Sequence, residues 1–163
     1  MYFDPWKQLH DDELLASWIR NAVKCQGRKV MLVGWSYGTV VGLKALQIVA
    51  NEGVRVETFV DLDCFNLNWH MGRCIHPSNA NRLVVIHSRM NRMPKGYRCP
   101  VVHQLDSCWH LGSPTDPKTT RLLQAEARWL YASAPHEIPA ISMSAPSESE
   151  QFADSPPALP IPH

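Results

Sequence analysis

Little in this 163-residue chain points toward a membrane, a nucleic acid or a metal. No apolar run approaches the roughly 20 residues that a bilayer-spanning helix needs. The first residues, Met1-Tyr2-Phe3-Asp4-Pro5-Trp6, have neither the basic start nor the apolar stretch of a secretory signal, so the chain reads as cytoplasmic. Lysine and arginine number 16 against 15 aspartate and glutamate, a formal charge of +1. That balance leaves no basic field for nucleic acid and no acidic surplus for a cationic partner. The five cysteines are odd in number and none forms a C-x-x-C pair, which argues for free thiols. Cys74-x-His76 and the group Cys99, His103, Cys108 and His110 lack the paired spacing of a structural zinc site. Neither a metal nor a cofactor is expected.

What is present is an alternation of helix-like and strand-like segments. Residues 1–6 read as the end of a strand. Asp11 or Asp12 can cap a helix from about Glu13 to Lys24, with Leu14, Leu15, Trp18, Ile19 and Val23 on its apolar face and Gly27 at its end. Strands follow at 29–34, 54–62, 82–87 and 100–105. A helix over about 39–51 stops near Gly53, and Asp116-Pro117 opens a last one to about Ala132 whose face carries Leu122, Leu123, Ala125, Ala127, Trp129 and Leu130. Residues 66–80 look irregular. This order predicts an α/β domain over 1–132, with a mostly parallel sheet and helices on both faces. From 133 to 163 Pro, Ser, Ala and Glu dominate without period, which predicts a disordered tail.

One pentapeptide carries chemistry. Gly34-Trp35-Ser36-Tyr37-Gly38 sits between an apolar run, Val30–Val33, and a helix-like run from Thr39 to Leu46. Strand, tight turn and helix are the context in which G-x-S-x-G forms a nucleophile elbow. A serine at so sharp a turn has a strained backbone, and its flanking positions must be nearly free of side chain. The helix that follows aims its N-terminal N–H groups at the serine, and the Tyr37 N–H is the candidate oxyanion donor. Asp63 ends the second strand and His110 follows the fourth, so Ser36, Asp63 and His110 all fall at the C-terminal edge of the predicted sheet. In open parallel sheets that edge is where ligands bind. Asp61, which alternates with Asp63 and should point to the same side, is the rival acid. Asp106 stands only four residues from His110. His103, His87, His76 and His70 compete with His110.

Elbow, acid and histidine in this order resemble the α/β-hydrolase superfamily, over residues 1 to about 132. The similarity is closest to small lipase- or esterase-like members, in which a strand ending in aspartate precedes a Pro-x-Asn segment (here Pro77-Ser78-Asn79) and a late histidine. The resemblance implies that Ser36 is the nucleophile, His110 its general base and Asp63 the carboxylate that orients the imidazole. The implied substrate is a small-molecule carboxylic ester or thioester, with Trp35, Phe65 and Trp109 as pocket candidates. It also implies a second oxyanion donor from a His-Gly loop after an earlier strand. Only about thirty residues precede the elbow and none forms such a segment. The chain therefore reads as an N-terminally abbreviated member whose uncovered sheet edge invites a dimer. The same departure keeps open a non-catalytic binding protein on the hydrolase scaffold.

Overall fold

The computed structural model of the chain describes residues 11–64, 76–89, 91, 96–106 and 109–132. The strand end expected in residues 1–6, Phe65, most of the irregular stretch and the tail lie outside these residues. Among the described residues, no helix is long and apolar enough to cross a membrane.

The first helix, α1 (Asp12–Arg20), begins where its cap predicts: Asp11 Oδ1 accepts the Leu14 N–H at 2.8 Å, and Asp12 and Glu13 place negative charge in the first turn. It does not run on to Lys24 as an α-helix. Residues Asn21–Cys25 form a π-helical turn, and Gly27 follows with φ +59°, a conformation open to glycine. Leu15, Ala16 and Ile19 are its buried face. β1 (Met31–Trp35) leads through Ser36 into α2 (Tyr37–Ala50). Then come β2 (Val56–Leu62), β3 (Ala80–Ser88), β4 (Val101–Leu105), a 3-10 turn (His110–Thr115) and α3 (Pro117–Ala132). The four expected strands are all present, shifted by one or two residues at their ends.

The strands form one parallel sheet in the order β1-β2-β3-β4. Val33 pairs with Val60, Val60 with Val84 and Val84 with Val101, so a single row of valines crosses the sheet. Successive residues of a strand face opposite sides, and β2 uses both. Phe59 packs with Leu15, Ile19, Leu43 and Leu46, from α1 and α2. Its neighbour Val60 packs with Leu62, Val84, Ile86 and Leu105, against which Leu122 and Leu123 of α3 rest. Helices thus cover both faces, which makes the fold α/β. Among the described residues β1 and β4 each pair on one side only.

Two polar side chains fasten the helices. Asn79 is buried, and its amide donates to the carbonyls of Leu46 (2.9 Å) and Val54 (3.0 Å), tying the end of α2 to the approach of β2. Arg82 on β3 makes two bonds to Glu126 of α3, at 2.8 and 2.9 Å, and its guanidinium lies over the Trp129 ring. The face of α3 differs from the expected one. Its inward stripe is Thr119, Leu122, Leu123 and Glu126, while Ala125 and Trp129 are exposed. The stripe keeps helical spacing, but half of it is polar, so hydrophobicity alone finds Leu122 and Leu123 and misses Thr119 and Glu126.

Candidate active site

The turn between β1 and α2 is held from three sides. α2 starts immediately after Ser36 and folds back over the strand end, so a Cβ on Gly34 would lie 2.5 Å from Thr39 Cα. Only glycine fits there. Thr39 Oγ1 donates to the Gly34 carbonyl at 2.8 Å, and the Thr39 N–H donates to the Ser36 carbonyl at 3.1 Å. From the neighbouring strand, the Leu62 carbonyl accepts the Ser36 N–H at 3.2 Å. Ser36 itself has φ +53° and ψ −125°, a conformation that L-residues adopt at a cost of about 1–3 kcal/mol. Tyr37 is the first residue of α2, so its backbone N–H lies at the positive end of the helix dipole.

His110 and Asp63 meet Ser36 at this edge. His110 Nε2 lies 2.8 Å from Ser36 Oγ, and His110 Nδ1 lies 3.1 Å from Asp63 Oδ2. The His110 side chain is about one quarter exposed and Asp63 is fully buried, so the chain of contacts runs inward from the surface. Trp35 stacks on the imidazole, with ring centroids 5.8 Å apart. Asp63 lies just past β2 with φ +52°, which breaks the strand's alternation. Its Oδ1 accepts the Ser88 N–H and the Asn91 amide, both at 2.7 Å, and its Oδ2 accepts the Ser113 hydroxyl at 2.6 Å. Burial pushes the Asp63 carboxyl up, but the bonds from Ser113, the Ser88 N–H and Asn91 outweigh it. The group lies below its ordinary value, as a carboxylate.

Asp61 does not share this environment. It is fully buried, and its Oδ1 accepts the Cys64 N–H at 3.1 Å and faces Thr39 Oγ1 at 3.3 Å. Tyr97 donates to its Oδ2 at 3.0 Å. The expectation that both aspartates point to one side gives way to the positive φ of Asp63, which turns it toward His110 while Asp61 stays beneath the elbow. Burial is the largest influence on Asp61 and pushes its carboxyl up to about 6 against the bonds from Tyr97, Cys64 and Thr39.

Among the described residues, the other histidines have different neighbours. His103 is on β4 opposite Ile86, His87 Nδ1 lies 3.1 Å from the Ser88 carbonyl, and His76 accepts a 3.4 Å bond from the Arg98 N–H. His70 and Phe65 lie outside the described residues. Trp109, expected in a pocket wall, is 74% exposed, as is Leu111 at 78%, one on each side of His110. Among the described residues, no group of three or more His, Cys, Asp or Glu side chains is arranged to hold a metal ion.

Ser113, Asn91 and Ser88 are the contacts that the sequence reading did not single out. Ser113 had a local signal: it stands three residues after His110, one turn of a 3-10 helix. Asn91 and Ser88 had none, because only the β2–β3 pairing brings them to Asp63. No protein-family model matches this chain, and no curated protein matches it.

Proposed function

We propose that this chain is a serine hydrolase of α/β-hydrolase-like architecture that cleaves a carboxylic ester or thioester through an acyl-enzyme intermediate. The observation that carries the reading is the continuous hydrogen-bonded path from Ser36 Oγ through both ring nitrogens of His110 to Asp63. A serine hydroxyl is a weak nucleophile at neutral pH, and a base within hydrogen-bond reach is what activates it. Here the Ser36 proton passes to His110 Nε2 as Oγ attacks the carbonyl carbon. Asp63 fixes the ring through Nδ1 and stabilises the imidazolium that forms. Negative charge on the former carbonyl oxygen is met by the Tyr37 N–H at the start of α2. The imidazolium then gives its proton to the departing alkoxide or thiolate, leaving Ser36 acylated. Water, deprotonated by His110, attacks the acyl carbon; the bond to Ser36 Oγ breaks, the imidazolium returns its proton to Oγ, and the carboxylic acid leaves.

Two further features support catalysis over a merely retained scaffold. Ser36 has a strained backbone, and such strain concentrates at functional sites. The acid beside His110 is also ionised in spite of full burial. A small acyl substrate suits Trp35, which shields one side of the imidazole, and the open surface at Trp109. A dimer through the outer edge of β1 belongs to the same proposal, since that edge has no partner strand among the described residues.

The test is a fluorophosphonate probe, which bonds covalently to an activated serine. Labelling of the folded chain that disappears in Ser36→Ala supports the enzyme. A folded chain that takes no label, and hydrolyses no p-nitrophenyl ester, is a binding protein instead.

A further inference from the structure

The turn that carries His110 carries a second contact to the same acid. In a 3-10 helix residues three apart lie one above the other, so His110 and Ser113 project from one face of the His110–Thr115 turn. Both reach Asp63 Oδ2: the imidazole Nδ1 at 3.1 Å and the Ser113 hydroxyl at 2.6 Å. The shorter bond is in the range of charge-assisted O–H···O⁻ bonds. Ser113 is completely buried, so water does not compete for its hydroxyl. Its Oγ also lies 3.4 Å from the Trp109 carbonyl, a much longer contact. Two further donors to Asp63, the Ser88 N–H and the Asn91 amide, take Oδ1 instead.

We propose that Ser113 is a positioning residue that acts on His110 through the shared oxygen of Asp63. The inference rests on the hydrolase reading of Ser36, His110 and Asp63. By donating to Oδ2, Ser113 draws charge from the oxygen that faces the imidazole, so Asp63 holds the imidazolium less tightly. Ser113 thereby weakens the bias toward the charged imidazolium that Asp63 imposes on the ring, and favours the form that can accept the Ser36 proton. The same bond fixes the carboxylate's rotation at a residue whose backbone is itself in the left-handed region. Among the described residues, the neighbouring strands contribute two further titratable groups to this region. Asp61 on β2 is engaged with Thr39, Cys64 and Tyr97, and His87 on β3 lies against the Ser88 carbonyl. Among the described residues, no lysine or arginine donates a hydrogen bond to Asp63.

The experiment compares the parent chain with Ser113→Ala and Asn91→Ala, following the ring resonances of His110 against pH by NMR. In parallel, the fluorophosphonate labelling rate is measured as a function of pH. Ser113→Ala should move the His110 titration midpoint, and the acid limb of the labelling profile, upward by about half a unit. That is roughly a threefold change in the ratio of protonated to neutral imidazole at fixed pH. Asn91→Ala, which empties only Oδ1, should move both by less. An unchanged midpoint in a folded Ser113→Ala overturns the proposal, as does an equal shift in Asn91→Ala. The NMR readout needs no turnover. A midpoint that moves in a chain that never labels upholds the role of Ser113 toward His110 and removes the hydrolase reading.

Discussion

His110 Nε2 lies 2.8 Å from Ser36 Oγ across 74 residues of sequence. Neither residue's own element accounts for that approach. Ser36 is lifted above the sheet by the turn between β1 and α2, and His110 is delivered by a 3-10 turn three strands away. A parallel sheet makes this possible because every strand ends on the same edge. The distance is therefore a property of the topology, and each element that sets it can be tested.

The strain at Ser36 predicts a separation of stability from function. Replacing Ser36 with glycine removes the Cβ that makes φ +53° costly. Ser36→Gly is expected to lose all fluorophosphonate labelling and to gain about 1 kcal/mol of stability in urea denaturation. A glycine variant less stable than the parent would mean that the turn is not strained.

Gly34 and Gly42 are predicted to behave differently. A Cβ at Gly34 meets backbone, Thr39 Cα at 2.5 Å, which cannot yield without moving α2. Gly34→Ala should lose about 3 kcal/mol or more and shift the elbow. A Cβ at Gly42 meets the Phe59 ring at 3.1 Å and Leu32 at 3.4 Å, side chains that can give by a few tenths of an ångström. There the loss should be about 1 kcal/mol, and the ranking is read from two denaturation curves.

The two aspartates should separate by pH. Asp61 has a folded value of about 6 against an ordinary 3.8. A group raised on folding contributes stability that is complete below its unfolded value and is lost as pH rises through its folded value. The chain should therefore lose about 3 kcal/mol between roughly pH 4 and pH 6 through Asp61, and Asp61→Asn should flatten that decline. Asp63 works in the opposite sense: lowered on folding, it contributes above its unfolded value and is lost as pH falls. In activity, Asp63→Asn should slow labelling by about a thousandfold or more, while Asp61→Asn retains it. Equal losses in the two variants would remove the distinction.

Attachment of α3 depends on the Arg82–Glu126 pair. Glu126 is buried, so its removal leaves the Arg82 guanidinium, which lies over the Trp129 ring, without this charge partner. Glu126→Ala should lose about 1 to 3 kcal/mol, with little dependence on salt. The exposed Arg20–Glu52 pair between α1 and the end of α2 should be the more salt-sensitive of the two. Denaturation at low and high sodium chloride checks both.

The sequence was most legible where structure is made locally. The β1-turn-α2 unit follows from an apolar run, two glycines and a helix-forming run, and the Asp11 cap follows from its position before Leu14. The placement of Ser36, Asp63 and His110 on one edge was legible for a different reason, because parallel strands share an edge whatever their register. The side-chain directions were not. Alternation along β2 put Asp61 and Asp63 together, and one positive φ undid it. The π-helical turn after α1 and the polar inward stripe of α3 escaped because packing partners, not propensity, decide them. Tyr97 reaches Asp61 across 36 residues, a distance over which no local pattern speaks.

The sheet's order, β1-β2-β3-β4, is also the order of synthesis. Each strand docks on the one made just before it, and the turn bearing His110 comes after all four. A partly made chain therefore carries Ser36 without His110, the imidazole that meets its hydroxyl in the finished fold. Under the proposed hydrolase reading, Ser36 gains its base only after the last strand is in place, so covalent labelling of Ser36 would report a completed fold and a chain stalled before His110 would take no label.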